Sequence, residues 1–354
     1  MEHHPGLRVA VVGATGAVGE VMLEILAQRK FPISEIWALA SERSVGTPVN
    51  FGRKEIAVDN LADFDFSTVD LALFSAGGSI SAEYAPKAVA AGCTVIDNSS
   101  HFRRDEHIPL VVPEVNGHVL DDWDAPGIIA NPNCSTIQMV VALKPLQEAF
   151  GLKRVHVATY QSVSGAGRKA MEELVRQTAA KLSFKDADPD VFERPIAFNV
   201  LAHIDTFQDN GFTREEMKML WESRRLLESP DLALTATAVR VPVLFGHAEA
   251  VHIETEKALD MAQVFDLLRN ADGVELLDKP EDYATPLTEA AGKDAVYVSR
   301  VRQDLHDECG LCLWVVADNI RKGAALNAVQ IAERLAPRLA ERGADDLSSM
   351  SSMM

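Results

Sequence analysis

The run NPNCST (131–136) contains a cysteine, Cys134, whose surroundings suit a catalytic nucleophile. Apolar residues with helical spacing follow it, including Ile137, Val140 and Leu143, and they predict that a helix begins at or close to the thiol. Unpaired N–H groups and the positive end of the helix dipole lower the pKa of a cysteine in this position and raise its thiolate fraction. The alternative is a small buried cysteine that serves only packing.

Pro145 lies further along the same apolar run and limits the predicted helix. Proline lacks an N–H group, and its ring clashes with the carbonyl of the residue four positions earlier. The sequence therefore predicts that the helix ends or kinks at Pro145. Local N–H groups would then act on Cys134 more strongly than the length of the helix does.

A second chemical signal is the loop GATGAVG (13–19) near the start of the chain. Leu7–Val12 before it is almost entirely apolar, which is typical of a parallel strand buried on both faces. A helical pattern through Val21 and Ile25 follows. This order predicts the first βαβ unit of a dinucleotide-binding fold, in which glycines let the backbone approach a pyrophosphate at a helix N-terminus. A tight turn without a ligand is the alternative.

The end of the second predicted strand, Ile36–Ala40, bears on which dinucleotide binds. At this point a dinucleotide-binding fold meets the adenosine ribose. Arg43 with the hydroxyl of Ser44 suits a 2′-phosphate, whereas Glu42 suits the free 2′-hydroxyl of NAD. We therefore expect NADP, with Glu42 as the residue that argues against it.

Strands and helices continue to alternate up to about residue 130, which indicates an open α/β sheet. Asp97–Ser100 and Arg103 follow a predicted strand directly, where ligands bind in such sheets. Arg103 is therefore a candidate anion-binding residue, with a solvated surface arginine as the alternative. The predicted elements of this part are strands over 69–74, 94–97, 110–112 and 127–130 and a helix over 81–91.

The second half of the chain has longer, alternating strands, which predict an antiparallel sheet. The run TREE (213–216) has the pattern of a capping box and predicts the start of a helix. On that helix Glu215 and Lys218 lie three residues apart and can share a face, either in a site or as a solvated pair. The predicted strands are 155–163, 232–243, 248–256, 295–302 and 311–317, and a final helix over 324–342 is expected to return to the first sheet.

Composition limits the classes of function that the chain can have. Its 354 residues suffice for two domains, and 34 Lys and Arg against 52 Asp and Glu give a formal net charge of −18. Nucleic acid and anionic membrane are therefore poor partners, and an anionic substrate would need a few local cations. Four irregularly spaced cysteines, no apolar run near the roughly 18 residues of a membrane span, and no room for a signal peptide predict a cytoplasmic protein.

Five motifs together resemble the aspartate-β-semialdehyde dehydrogenase family. They are GATGAVG, NPNCST, TYQSVSGAG, RVPVLFGHAEAVHIE and WVVADN, and they occur in this order. The resemblance covers the chain from Leu7 to about Leu335. NPNCST and the GHAE within the fourth motif are specific to the family, whereas the glycine loop is not. Many members have GHSE where this chain has GHAE, a difference of one hydroxyl.

The resemblance implies an α/β fold with two domains. A Rossmann-like NADP-binding domain would comprise residues 1–132 plus 320–345, completed by the C-terminal helix. An α+β catalytic and dimerisation domain like that of glyceraldehyde-3-phosphate dehydrogenase would comprise 133–319, and a disordered tail 346–354. The family reduces L-aspartyl 4-phosphate to L-aspartate 4-semialdehyde with release of phosphate, on the route to lysine, threonine and methionine. A homodimer or a dimer of dimers is expected.

The resemblance also assigns roles to individual residues. Cys134 would be the nucleophile that forms a thioester, with the oxyanion met by backbone N–H groups at the helix start, and His247 the general acid/base. A histidine just after Gly246, on a turn between strands, is expected to be exposed and mobile. Gln161 would orient the acyl group, Arg240 bind the α-carboxylate, Glu215 the ammonium, and Arg103 and Lys218 the phosphate. Expected cofactor contacts are Gly13, Thr15, Gly16, Ala17, Val18, Arg43, Ser44, Ser164, Gly165 and Asn319.

Two alternatives to this interpretation are a related enzyme and a protein without catalytic activity. N-acetyl-γ-glutamyl-phosphate reductase shares the fold and the thioester chemistry, but its cysteine context is typically GCYPT-like rather than NPNCST. A non-catalytic paralogue that serves as a binding or structural subunit would not need Cys134, Gln161, Arg240 and His247 together. The pair Cys309 and Cys312 has zinc-like spacing, but it enters a strand and has no second pair, so no metal is expected.

Overall fold

The computed structural model describes residues 6–279 and 281–352, apart from the side chains of 343–352. Its chain divides into two compact units. The first consists of the residues up to Pro132 together with those from Ala324 onward, and the second of Asn133–Gly323. The sequence predicted that the second would end at Asn319. No described helix is both long and apolar enough to cross a membrane.

The described residues form two sheets and a set of α-helices. The strands are β1 (Leu7–Val12), β2 (Ile33–Ala40), β3 (Pro48–Phe51), β4 (Lys54–Asn60), β5 (Leu71–Phe74), β6 (Thr94–Asp97), β7 (Ile128–Ala130), β8 (Leu152–Gln161), β9 (Ala233–Arg240), β10 (His247–Thr255), β11 (Val274–Leu276), β12 (Val296–Gln303) and β13 (Gly310–Ala317). The helices are α1 (Ala17–Gln28), α2 (Gly78–Ala90), α3 (Pro113–Asn116), α4 (Cys134–Phe150), α5 (Arg168–Leu182), α6 (Arg214–Leu226), α7 (Met261–Arg269) and α8 (Leu326–Ser352).

The sheet of the first unit has the order β3-β4-β2-β1-β5-β6-β7. All neighbouring pairs are parallel except β3 with β4, which form an antiparallel hairpin at the edge. The central strand β1 is buried at Val9, Val11 and Val12, as its apolar sequence predicted. The open α/β sheet is therefore confirmed. The edge hairpin was not predicted, because its strands are mostly exposed and carry no apolar run.

The C-terminal helix α8 returns to the first sheet, as expected. Leu326, Val329 and Leu335 are at most 2% exposed and belong to the same core as Val9 of β1. Burial of an aliphatic side chain of this size stabilises the fold by about 1.5–3 kcal/mol. The C-terminal helix α8 thus completes the hydrophobic core that also contains β1, the strand that leads into the glycine loop.

Two predicted boundaries in this unit were wrong. The expected strand 110–112 is reduced to an isolated bridge between Leu110 and Ala130. The N–H of Val112 instead donates to the side chain of Asn116, and Pro113 begins α3 directly. Helix α8 does not end near residue 342 but runs to Ser352 across most of the predicted tail, since neither Gly nor Pro lies in 344–352. Residues 353 and 354 of that tail lie outside the described residues.

The sheet of the second unit has the order β11-β12-β13-β10-β8-β9. Its pairing is mixed rather than antiparallel as predicted, because β8 pairs with β9 and β11 with β12 in parallel. The β8–β9 connection contains α5 and α6, and residues 277–295 join β11 to β12. An alternating pattern within each strand does not reveal such connections. Strand β10 lies in the interior of the sheet, between β8 and β13.

Helix α4 packs against this second sheet and is longer than expected. It begins at Cys134, as predicted, but does not end at Pro145 and runs to Phe150. Ile137, Val140 and Leu143 are fully buried, so tertiary packing offsets the roughly 3 kcal/mol that an interior proline costs. The helix dipole behind Cys134 is therefore not shortened by the proline.

Candidate active site

Asn133 caps the helix that begins at Cys134. Its Oδ1 accepts hydrogen bonds from the backbone N–H groups of Ser135 and Thr136, at 3.1 and 3.2 Å. Such a cap satisfies two of the donors that a helix start leaves unpaired. The family resemblance implies that backbone N–H groups at this helix start stabilise an oxyanion. These two are engaged by Asn133, so an oxyanion on a group attached to Cys134 requires other donors.

Glu215 is the centre of a buried network beside that cap. It lies on α6, which begins with the predicted capping box, and it is only 5% exposed. Its Oε1 accepts from Asn133 Nδ2 at 2.9 Å and Gln161 Nε2 at 3.3 Å, and its Oε2 from Lys218 Nζ at 3.0 Å. Burial acts to raise the pKa of Glu215, but the Lys218 charge and the hydrogen bonds lower it overall. The predicted pair of Glu215 and Lys218 is therefore an ion pair in which Glu215 is buried and Lys218 is partly buried, not a solvated surface pair.

Lys218 has a second acidic partner that the sequence did not indicate. Its Nζ donates to Asp205 Oδ2 at 2.7 Å. Burial acts to lower the pKa of Lys218, but Glu215 and Asp205 raise it overall. Asp205 adopts a left-handed φ of 67° and lines a groove of about 980 Å³ that also reaches Arg240. No motif contains Asp205, and only its position in the folded loop reveals its partner.

Arg240, the last residue of β9, is 5% exposed. Its Nη1 donates to the carbonyl oxygen of Ser162 at 2.7 Å, and its Nε has no partner among the residues that the structure describes. Burial lowers the pKa of Arg240, while the negative charges of Glu215 and Cys134 act to raise it. Arg240, Glu215 and Cys134 are thus near enough to interact electrostatically, and Arg240 keeps a donor for an anionic ligand.

His247 is buried, so the expectation of an exposed and mobile histidine was wrong. It is the first residue of β10 and has no exposed surface. Its carbonyl oxygen accepts from Gln138 Nε2 at 3.3 Å. The sequence placed His247 on a turn, but β10 begins one residue after Gly246, in the interior of the sheet. Burial, aided by the charge of Arg240, lowers the pKa of His247 to about 3, so its ring is neutral at pH 7.

The hydrogen bonds of His247 assign the position of its ring proton. Nδ1 lies 3.1 Å from the backbone nitrogen of Ser162, which can only donate. Nδ1 is therefore the acceptor, and the proton of the neutral ring is assigned to Nε2. Nε2 has no partner in the described part of the chain. In this state His247 offers a hydrogen-bond donor rather than a base.

Ser162, which sequence reasoning did not single out, joins several of these groups. Its N–H binds His247, its carbonyl binds Arg240, and its hydroxyl donates to Asn319 Oδ1 at 3.0 Å. Asn319 Oδ1 also accepts from the N–H of Gly246 at 2.9 Å. Asn319, expected as a cofactor contact, thus binds both Gly246, which precedes His247, and Ser162, whose N–H donates to the His247 ring. The only sequence signal for Ser162 is its place within TYQSVSGAG.

Ser164 and Gly165 lie in the same group of residues. Ser164 is 4% exposed and accepts from Asn319 Nδ2 at 3.0 Å. A Cβ atom at Gly165 would lie 3.0 Å from Arg240 Nη1 and 3.3 Å from His247 Nε2. Glycine at this position therefore leaves space beside both groups that a larger side chain would fill.

The glycine loop of the first unit fits the backbone of a dinucleotide. A Cβ atom at Gly19 would collide with the carbonyl oxygen of Gly13, which itself has a left-handed φ of 86°. The N-cap residue Gly16 provides no side-chain cap to α1. The start of this helix is therefore left open to an anionic group. The expected contacts Thr15, Ala17 and Val18 lie in this loop and the first turn of α1.

The other predicted residues of the first unit differ in exposure. Arg43 is exposed and Ser44 partly buried, in a short 3₁₀ turn (Glu42–Ser44) that follows β2. Arg103 is 9% exposed. Its Nε donates to the carbonyl of Asn131 at 2.8 Å and its Nη2 to that of Asn98 at 3.0 Å. Arg103 is therefore a positioned guanidinium and not a solvated one.

Cys312 belongs to the one group of described residues that could hold a metal ion. Ligand atoms of His252, Asp304 and Cys312 lie within 4.8 Å of one another, and His252 Nε2 is 3.1 Å from Asp304 Oδ2. Cys309 is not part of this group. The two cysteines of the CxxC run therefore do not act as a ligand pair here, and the absence of a metal stays a prediction.

Comparisons with known proteins identify the family of the chain. Residues 8–123 match the family described as the semialdehyde dehydrogenase NAD binding domain, and 143–322 match the semialdehyde dehydrogenase dimerisation domain. An aspartate-semialdehyde dehydrogenase of Legionella pneumophila is 57% identical over 331 residues, which are 93% of this chain and 95% of that protein.

Solved structures give the same result. Aspartate semialdehyde dehydrogenase II of Vibrio cholerae, described as complexed with ASA, is 54% identical with a TM-score of 0.91, over 93% of this chain and 98% of that one. The fold is shared with the Candida albicans enzyme described with NADP, at 24% identity and a TM-score of 0.73, over 94% and 99%. The chain belongs to the aspartate-semialdehyde dehydrogenase family of oxidoreductases.

Proposed function

We propose that this chain reduces L-aspartyl 4-phosphate to L-aspartate 4-semialdehyde and phosphate, with NADPH as the hydride donor and a thioester on Cys134 as the intermediate. The convergence of Cys134, Glu215 and Arg240 in one buried, charged network carries the proposal. The fold by itself requires none of these three. A nucleophile close to a cation that also interacts with a carboxylate suits an amino-acid substrate that has both charges.

Each charged group of the amino-acid substrate is bound by a side chain of the opposite charge. Arg240 keeps its Nε free of partners among the described residues and binds the α-carboxylate. Glu215, which is ionised, binds the ammonium group. Lys218 binds the phosphate, and Arg103, a positioned guanidinium, is the anion-binding residue of the first unit. Since the chain carries a formal net charge of −18, these few positioned cations provide the local attraction for an anionic substrate.

The thiolate of Cys134 attacks the acyl carbon, the carbon–oxygen bond to phosphate breaks, and a thioester remains. Bound NADPH would supply the hydride for the thioester carbon, which becomes tetrahedral. The resulting tetrahedral oxyanion expels the thiolate and leaves the aldehyde. Asn133 engages the N–H groups of Ser135 and Thr136, so the Nε2–H of His247 is the donor best suited to the oxyanion.

One assay tests this function. Purified protein with aspartate semialdehyde, phosphate and NADP should produce NADPH, followed by its absorbance, and the rate should depend on phosphate. The acetylated glutamate semialdehyde serves as the competing substrate. Turnover of that compound, without turnover of aspartate semialdehyde, would contradict the proposal and favour N-acetyl-γ-glutamyl-phosphate reductase.

The cofactor preference depends on Arg43. Replacement of Arg43 by alanine should weaken NADP binding by about tenfold to a hundredfold, because a charged hydrogen bond of about 1.5–3 kcal/mol to the 2′-phosphate is lost. NAD binding should change less than about twofold. Fluorescence titration with each reduced cofactor measures both.

Arg53→Ala is a matched control, because Arg53 is an exposed arginine of the same unit and loses the same charge. It should leave both affinities unchanged. Equal losses of NADP and NAD affinity in Arg43→Ala would refute the assignment of the 2′-phosphate to Arg43.

Asp205 competes with phosphate for Lys218. The Asp205→Asn variant should therefore lower the KM for phosphate by about three- to tenfold, since an ion pair of roughly 1 kcal/mol no longer has to be broken. Asparagine tolerates the left-handed φ of 67° and keeps the Oδ1 acceptor for Thr206 N. Steady-state rates at varied phosphate give the result.

Asp205→Ala is the control for the backbone, because alanine removes the charge but is strained at a positive φ. A higher KM for phosphate in Asp205→Asn would show the opposite role, in which Asp205 holds Lys218 in place for phosphate.

The matched dimerisation domain supports assembly of this chain as a homodimer. We propose that the second unit supplies the contacts. Light scattering coupled to size-exclusion chromatography would give the mass, against 38.5 kDa for one chain. A mass twice that value supports a dimer, and four times that value a dimer of dimers.

A further inference from the structure

Glu249 is a buried acid to which no role has been assigned. It lies on β10 two residues after His247, so both side chains point to the same face of the sheet. It has no exposed surface, and neither carboxyl oxygen has a hydrogen-bond partner among the residues that the structure describes. An ionised carboxylate in such a place is very costly, and most buried acids are paired.

Among the residues that the structure describes, no charged group acts on the pKa of Glu249. Its neighbours across the sheet are Thr159 on β8 and Val315 on β13, both neutral. Helix α4 packs over β10, and its only titratable residue in the first two turns is Cys134. His247 on the same strand is neutral. Burial therefore raises the pKa of Glu249 well above its ordinary value, and the nearby Gln138 amide reduces the shift only in part.

Gln138 connects this acid to the candidate active site. It lies on α4, one turn after Cys134, and is fully buried. Its Nε2 donates to the carbonyl oxygen of His247 at 3.3 Å, while its Oε1 has no partner among the described residues. The carboxylate oxygens of Glu249 and the Oε1 of Gln138 are all acceptors without partners among the described residues. A proton on the Glu249 carboxyl group would turn one of its oxygens into a donor for Gln138 Oε1. The buried amide would then have both of its ends satisfied.

We propose that Glu249 is a positioning residue that acts as a neutral carboxylic acid, whose hydroxyl donates to Gln138 Oε1 and so fixes the amide that holds the backbone of His247. This assignment rests on the proposed function only in its claim about catalysis, because the protonation of Glu249 can be measured without turnover. A side chain of α4 and one of β10 would thus keep the His247 ring aligned relative to the helix that begins at Cys134.

The first test measures stability against pH for the wild type and Glu249→Gln. With a raised pKa, folded Glu249 keeps a proton that the unfolded chain releases above pH 4.5, so the wild type loses stability relative to the variant as pH rises. The ratio of the two folding constants should widen by about tenfold per pH unit above that point. Urea unfolding at one protein concentration between pH 5 and pH 8 gives the ratio. A ratio that does not change with pH would overturn the proposal.

The second test separates positioning from folding. Glu249→Gln retains a donor for Gln138 Oε1, so its kcat should stay within about threefold of the wild type, whereas Glu249→Leu removes the donor and should lower kcat more than about tenfold. NADP affinity should be unchanged in both. Equal kcat in Glu249→Leu and wild type, or equal losses in both variants, would overturn the positioning role.

The two proposals fail in different ways. A wild-type protein that does not turn over aspartate semialdehyde contradicts the proposed function, while the stability ratio still reports on the proton of Glu249. If Glu249→Leu does not fold, the proposal is still tested by how the ratio of the folding constants of Glu249→Gln and the wild type changes with pH.

Discussion

Replacement of Cys134 by alanine should abolish reduction of NADP by aspartate semialdehyde and phosphate, with a loss of more than about 10⁴-fold in kcat. No thioester can form without the thiol, and no other described cysteine lies at the start of a helix. Affinity for NADPH should stay within about twofold, because the glycine loop belongs to the other unit of the chain. Stopped assays with high enzyme concentration measure the residual rate, and fluorescence titration the affinity.

Cys312→Ser is the matched control for this variant. Cys312 is also partly buried, and burial raises the pKa of its thiol, so it is a poor nucleophile. Its removal should leave turnover unchanged. Turnover of Cys134→Ala within tenfold of the wild type would remove Cys134 as the nucleophile, while loss of turnover in Cys312→Ser would point to general damage from cysteine substitution.

Replacement of His247 by glutamine should lower kcat by about 10²–10⁴-fold, because the Nε2–H donor to the oxyanion is lost. Glutamine can still accept the N–H of Ser162 through its side-chain oxygen, so the surrounding backbone keeps a partner. KM for aspartate semialdehyde should change less than kcat. A change confined to KM would show that His247 binds the substrate rather than stabilising the transition state.

The same variant should change how stability depends on pH. The pKa of His247 is about 3 in the folded chain against 6.5 as the ordinary value, so between these values the unfolded chain binds a proton that the folded chain does not. Wild-type stability from this source is complete above pH 6.5 and is lost towards pH 3, by at most about 1.4 kcal/mol per pH unit. His247→Gln should therefore lose less stability on acidification. Parallel curves would show that His247 is protonated normally.

Local patterns predicted those parts of the site that depend on short stretches of chain. The helix start at Cys134 follows from an Asn cap and an apolar run, and the capping box fixed the start of α6 and the shared face of Glu215 and Lys218. The specific motifs identified the family. Each of these signals is contained within a few residues, where backbone geometry decides the outcome.

The remaining features depend on which strands become neighbours. His247 is buried because β10 lies inside a six-stranded sheet, and its own sequence contains no sign of that position. Asp205 meets Lys218 through a loop conformation, and Ser162 acts largely through its backbone atoms, which every residue has. Glu249 is visible in the GHAE motif, but its lack of a partner is not. Long-range pairing of this kind leaves no local pattern in the sequence.

Because α8 returns to the first sheet, the two units are expected to fold in the reverse of the usual order during synthesis. A ribosome releases the chain from its N-terminus, and domains commonly fold in that order. The glycine loop emerges first, yet its unit lacks Leu326, Val329 and Leu335 until the end of the chain appears. Asn133–Gly323 is continuous and can complete its own core earlier. A nascent chain whose residues up to 323 have just left the ribosome would thus contain a folded second unit and a first unit that is still unprotected against proteases.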